Sequence, residues 1–126
     1  MSPLTIEVAT DKTDGICIIH LSGILEYDCV PGISVKVEEL LAQGEKKLLI
    51  DMTNVTHANS KGMGAIISIM RMCAENQAKF VLWNIQETAL RVFKTTKLDS
   101  IITICDGALA DAKQTLSTLS TKPAKL

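Results

Sequence analysis

Leu48-Leu49-Ile50-Asp51-Met52-Thr53-Asn54-Val55-Thr56-His57-Ala58-Asn59-Ser60-Lys61-Gly62-Met63-Gly64-Ala65-Ile66-Ile67 reads as a buried strand, a short polar turn, and a helix opening at Asn59-Ser60. Three apolar residues precede Asp51, as a covered strand requires, and helical spacing takes over beyond the glycines. A strand that passes through a tight turn into a helix is the unit of an α/β domain. It also places a hydroxyl at the mouth of a helix, beside free backbone N–H groups and the positive end of the helix dipole. A phosphoryl group added there would change the local charge by about −1.5 to −2.

Outward from this stretch, the same alternation recurs. Thr5 to Ala9 alternates apolar and polar residues, Asp11 to Gly15 has turn composition, and Ile16 to Leu21 is apolar and β-branched, which predicts an antiparallel hairpin ended by Ser22-Gly23. Leu25 to Cys29 is irregular. Pro31 suits the first turn of a helix whose inward face is Ile33, Val37, Leu40 and Leu41, with Gly44 as its stop. A strand over Lys47 to Met52 follows. A helix from Ser60 to about Gln77 places Met63, Ile66, Ile67, Met70 and Ala74 on one face. Lys79 to Trp83 is a short strand, and Gln86 to Lys94 a brief helix burying Leu90 and Phe93. Ile101 to Cys105 is a last apolar run. Asp106 is placed to cap a final helix whose inward face is Leu109, Ala112, Leu116 and Leu119. The expected order, β-β-α-β-α-β-α-β-α, describes a single α/β domain over 1–126. Its mixed, mostly parallel sheet starts with an antiparallel hairpin and carries about four helices. Residues 3–119 form the expected core and 120–126 a frayed tail.

Composition narrows the function. The 126 residues are 47% apolar but only 3% aromatic, and the formal net charge is −1. No basic field or set of stacking rings favours nucleic acid. No run approaches the roughly 20 apolar residues that cross a bilayer. Met1 to Thr5 lacks the features of a signal peptide, which points to the cytoplasm. Cys17, Cys29, Cys73 and Cys105 form no C-x-x-C pair, and with two histidines they offer no metal-ligand spacing. They read as reduced cysteines, three of them in core segments; no metal and no cofactor is expected.

Ser60 is both a candidate phosphoacceptor and a candidate N-cap, with Asn59 competing for the cap. Gly62 and Gly64 cost a helix roughly 1 kcal/mol each against Ala. Their presence implies close packing on the sheet or a second backbone approaching this end. The G-x-G lacks the third glycine of a dinucleotide fingerprint, and no phosphate-loop lysine follows. Asp51 is expected to be solvated at the sheet edge or to cap the following turn, with a supporting role in presenting Ser60. Glu26-Tyr27 reads as loop or as the rim of a partner surface, to which an exposed Met63 would contribute. A Ser60-His57-Asp51 hydrolase lacks any nucleophile-elbow signature.

Leu49-Ile50-Asp51-Met52-Thr53-Asn54-Val55 followed by Asn59-Ser60-Lys61-Gly62-Met63-Gly64-Ala65-Ile66 resembles the signature of STAS domains, the fold of bacterial anti-sigma-factor antagonists. Ser22 to Glu26 is similar to the family's glycine-containing loop after the second strand. The resemblance implies a non-enzymatic switch. A partner that is both anti-sigma factor and serine kinase would bind the face of Asn59, Ser60, Lys61, Gly62, Met63, Glu26 and Tyr27. It would phosphorylate Ser60 and so release the complex, and a phosphatase would reset it. The alternative implied is a STAS scaffold or ligand-sensing module without phosphorylation, in a signalling or transport-associated complex. Two positions depart from the family pattern: Asn59 stands where Asp is usual, and Lys61 where a small residue is common.

Overall fold

The computed structural model describes residues 7–13, 15–26 and 30–119. β1 (Glu7–Thr13) and β2 (Ile16–Leu25) form the opening hairpin. Then come α1 (Val30–Ala42), β3 (Lys47–Ala58), α2 (Met63–Glu75), β4 (Lys79–Trp83), α3 (Glu87–Thr95), β5 (Ile104–Cys105) and α4 (Leu109–Thr118). The sheet order is β1-β2-β3-β4-β5; β1 is antiparallel to β2 and all other pairs are parallel. Fold class and element order agree with the expectation from sequence.

The alternation along the strands sorts the core into two layers. Cys17, Ile19, Leu21, Leu48, Ile50, Met52 and Leu82 point to the face covered by α1, α2 and α3. Ile16, Ile18, Leu49 and Val81 point to the other face, where Ala112 and Leu116 of α4 cover them. Every strand that is covered on both sides must therefore be a continuous apolar run, as Ile16–Ile19 and Leu48–Ile50 are. α1 buries Ile33, Val37, Leu40 and Leu41, the four residues its periodicity selects. Lys79 Nζ donates to the carbonyls of Ser117 (3.2 Å) and Leu119 (2.7 Å), fixing the end of α4 against the start of β4.

Several boundaries differ from the sequence reading. β1 runs on to Thr13, through residues expected as a turn, because Ile16 to Ile18 offer backbone partners to Asp11 to Thr13. Thr5 and Ile6, expected in this strand, lie outside the described residues, as do Tyr27 to Cys29 and the tail from Ser120. β2 does not stop at Ser22-Gly23, and β3 does not stop at Met52. The two continue as a parallel ribbon pairing Ser22 with Asn54, Gly23 with Val55, Ile24 with His57 and Leu25 with Ala58. Two register shifts interrupt it, and Gly23 takes φ +118 between them. The irregular register moves Val55 onto the same buried face as Met52, which strict alternation forbids.

α2 begins at Met63 rather than Ser60 and ends at Glu75, and its buried face takes in Ala65, Ile69 and Cys73, leaving Ile67 and Ala74 half-buried. In α3, Ala89 and Phe93 are fully buried while Leu90 is half-buried. The run Ile101–Cys105 yields only a two-residue strand, since a 3₁₀ turn over Leu98–Ser100 carries the chain outward and leaves Ile101 54% exposed. Asp106 does not cap α4: Gly107, at φ +81, swings the chain away, and Ala108 holds the cap position without a side-chain bond. Cys17 and Cys73 are buried and Cys105 half-buried, all as free thiols; burial pushes the Cys73 thiol up to about 12.

Candidate functional site

The Ser60 turn stands where the ribbon of β2 and β3 ends and α2 begins. Its backbone is a succession of tight i to i+3 bonds: Gly62 N–H to Asn59 O (3.0 Å), Met63 N–H to Ser60 O (3.3 Å) and Gly64 N–H to Lys61 O (3.3 Å). The chain thus enters α2 through a 3₁₀ turn. The side chain that closes this turn is Asn59, whose Oδ1 accepts from Gly62 N–H at 2.9 Å. That bond has the pattern of an N-cap for the turn that leads into α2, with Ser60 as the first residue of the turn; the position directly before α2 is Gly62, which has no side-chain bond. Ser60 is not the cap. Its hydroxyl is exposed and makes no hydrogen bond among the described residues. Asn59, Lys61 and His57 are exposed beside it, and Lys61 forms no ion pair among the described residues.

Gly62 explains why glycine is needed here. A Cβ on it would lie 2.3 Å from Leu25 O, 2.5 Å from Leu25 C and 2.8 Å from Glu26 N, all backbone atoms. The first turn of α2 therefore rests directly on the end of β2. Asn59 N–H also donates to Leu25 O at 3.1 Å. Two contacts lock the Ser60 turn to the segment that carries Glu26, which is half-buried alongside it. Of the second backbone and the close sheet packing that the glycines suggest, Gly62 meets the backbone.

Two residues expected at this surface are not there. Met63 is 2% exposed, and its side chain belongs to the core with Ile66 and Val55. As the first residue of α2 it points inward, so the expectation of an exposed methionine contact is overturned. Gly62 is buried as well and acts through its lack of a side chain. Tyr27 lies outside the described residues.

Asp51 is also elsewhere. β3 continues for seven residues beyond it, at about 3.3 Å each, which carries the chain some 20 Å onward before Asn59. A role in presenting Ser60 is not supported by this placement, and the expected solvation is absent: Asp51 is 9% exposed. It sits opposite His20 on β2, on the face of the sheet that α4 covers in part. Its Oδ1 accepts from Thr53 N–H (2.9 Å) and from the Thr53 hydroxyl (2.5 Å), and its Oδ2 lies 2.7 Å from His20 Nδ1. Asn84 Nδ2 donates to Thr53 Oγ1 at 2.9 Å and extends the chain to the end of β4. Burial alone would push the Asp51 carboxyl up. The Thr53 hydroxyl and amide, with His20, outweigh it and hold the group below the ordinary carboxylate value of 3.8. The carboxylate does cap the residues that follow it, as one expectation had it, though within a strand. The His20 partnership was missed, because nothing in one strand's sequence states its register against another. The same geometry leaves Ser60, His57 and Asp51 unassembled as a triad, since Asp51 serves His20 and lies several residues of extended chain from His57.

Among the described residues no helix is long and apolar enough to cross a membrane, and no group of three or more His, Cys, Asp and Glu side chains could hold a metal.

Comparison with known proteins fits this architecture. An anti-sigma-B factor antagonist of Listeria monocytogenes is 27% identical over 101 residues, 80% of this chain and 88% of the relative. The crystal structure of an anti-sigma factor antagonist from Mycobacterium paratuberculosis superposes with a TM-score of 0.79 at 19% identity, covering 92% of this chain and 97% of its own. The Bacillus cell fate determinant SpoIIAA in its phosphorylated form has a TM-score of 0.67 at 21% identity, covering 86% and 98%. The model of the STAS domain matches residues 7–112, from the first strand into the last helix, and so takes in the hairpin, the parallel ribbon and the Asn59-capped turn alike: the chain belongs to the STAS domain family.

Proposed function

We propose that this domain is a switch of the anti-sigma-factor-antagonist type, working in the cytoplasm without catalysis of its own. It binds an anti-sigma factor that is also a serine kinase, through Asn59, Ser60, Lys61 and the neighbouring Glu26, with Tyr27, the next residue in sequence, as a further contact. Phosphorylation of Ser60 by that kinase ends the complex, and a phosphatase restores it. The observation that carries this reading is the division of roles at the turn. Asn59 performs the cap, so the Ser60 hydroxyl is exposed and unengaged on a backbone held to Leu25. A protruding nucleophilic hydroxyl on a rigid turn is what a kinase can accept. A dianion added at the centre of a docked surface opposes rebinding through repulsion and desolvation. The similarity to a protein known in phosphorylated form supports the same direction.

The test compares wild type, Ser60→Ala and Ser60→Asp, using a purified anti-sigma-factor kinase and ATP, with mass spectrometry to locate the phosphoryl group. Phosphorylation at Ser60 in wild type only, with weaker kinase binding by Ser60→Asp, is the expected result. Undiminished phosphorylation of Ser60→Ala would remove the site assignment. A second reading draws on Lys61, whose free ammonium next to Ser60 would compensate part of a phosphate's charge. In that reading the domain is a scaffold or ligand-sensing module, and Ser60→Asp binds its partner as wild type does.

A further inference from the structure

The one buried charged side chain among the described residues is Asp51, and no part of the proposed switch uses it. A buried ion pair is poor evidence of stability, since apolar residues of similar volume often serve as well. This one has a directional consequence. A carboxylate only accepts hydrogen bonds, so the proton between Asp51 Oδ2 and His20 Nδ1, 2.7 Å apart, resides on the ring. Neutral His20 is thereby held in the tautomer whose Nε2 carries the lone pair. The Thr53 amide and hydroxyl fix the carboxylate, and Asn84 fixes the Thr53 hydroxyl, so the ring is oriented by a chain of bonds that runs from β2 through β3 to the residue after β4. α4 covers Ile16, Ile18, Leu49 and Val81 on this face, yet the His20 side chain remains 43% exposed, and Nε2 makes no hydrogen bond among the described residues.

We propose that His20 is a second modifiable site of this domain, an Nε2 phosphoryl acceptor held in its nucleophilic tautomer by Asp51. The donor is a phosphoramidate, such as a phosphohistidine on another protein. The Nε2 lone pair forms the new N–P bond while the donor's P–N bond breaks, and the donor nitrogen departs with that electron pair: a phosphohistidine leaves as neutral imidazole with its proton on the other ring nitrogen, and phosphoramidate leaves as ammonia. The His20 ring becomes cationic, keeps its Nδ1 proton, and faces the Asp51 carboxylate, which compensates the charge. Phosphoryl transfer asks little of an acceptor's surroundings beyond positioning and charge compensation. The Asp51 pair supplies both.

The other histidine is a built-in control. His57 is exposed on β3 and has no carboxylate partner among the described residues. The experiment incubates the whole 126-residue chain with potassium phosphoramidate, follows N-phosphorylation by ³¹P NMR, and assigns it to His20 or His57 by mass spectrometry. The expected result is modification of His20 roughly tenfold or more faster than His57, the scale on which a partner that orients a histidine acts. In Asp51→Asn the His20 rate should fall to that of His57. Equal rates in wild type would overturn the proposal, as would an undiminished His20 rate in folded Asp51→Asn. The wild-type ratio decides by itself should that variant fail to fold.

Discussion

Replacing Gly62 by alanine sets two opposite effects against each other. The residue has φ −68 and ψ −20, which alanine adopts without strain. On conformational grounds alone the change should stabilise by about 0.4–1 kcal/mol. The added Cβ, however, would stand 2.3 Å from Leu25 O, with Leu25 C and Glu26 N also inside 3 Å. Ordinary contact begins at 3.4 Å, so the turn and the end of β2 must part by 3.4 − 2.3 = 1.1 Å. All three obstructing atoms are backbone, so no rotamer change relieves them. Overpacking of this kind costs about 1–3 kcal/mol. The same separation stretches the 3.1 Å bond from Asn59 N–H to Leu25 O, whose loss costs about 0.5–1.5 kcal/mol more. The steric terms win, and Gly62→Ala should be destabilising by roughly 1–3 kcal/mol. Urea unfolding followed by circular dichroism is the assay, and with a slope of about 1–3 kcal/mol/M the midpoint should fall by roughly 1 M. Gly32→Ala is the matched control, a glycine in α1 whose Cβ would meet nothing within 4 Å; it should be neutral or stabilising. A Gly62→Ala midpoint equal to or above wild type would refute the reasoning that the two backbones touch here.

Asn59→Ala should cost about 0.5–2 kcal/mol in thermal or urea unfolding through loss of the cap, whereas Ser60→Ala should stay within about 0.5 kcal/mol of wild type; the reverse ranking would return the cap to Ser60. Asp51 has a folded pKa below its ordinary 3.8, so its contribution to stability is complete above the unfolded value and is lost as pH falls through the folded one. The stability difference between wild type and Asp51→Asn should accordingly shrink as the pH is lowered from 7 to 3, and a constant difference would contradict the assigned cause. Phe93→Ala, which empties a fully buried site under α3, should destabilise by about 3–5 kcal/mol in the same unfolding assay. The Cys73 thiol, with burial raising it to about 12, should resist a thiol-reactive probe until denaturant is added; rapid labelling of the native chain would show an open path to it.

Elements that bury a clean periodic face were legible in the sequence. α1 and β4 lie where their patterns place them, and the inward face of α4, with Ala112 and Leu116 fully buried, follows its spacing. What was not legible depends on a partner elsewhere in the chain. Thr53 to Ala58 has the composition of a turn, but β2, which continues to Leu25, offers it a row of backbone groups to pair with. Met63 shares the helical face of Ile66 and Met70, so its position at the mouth of α2 does not expose it: the face turns into the core from the first residue of the helix. The Asn59 cap was within reach of sequence reasoning, since Asn and Ser compete for such positions on nearly equal terms. The Asp51–His20 pair was not, because it requires the alignment of two strands thirty-one residues apart.

The separation of tasks between Asn59 and Ser60 also bears on how this surface could be rewritten. Residue 60 carries neither the cap nor any packed apolar contact, and Lys61 next to it is equally unencumbered. The pair amounts to an interchangeable label on a fixed mount, whose geometry is set by residues 25, 59 and 62. Replacing Lys61 by a small residue such as serine should alter recognition by the partner proposed above while leaving thermal unfolding nearly untouched. Specificity in this fold can thus drift without first passing through an unstable protein.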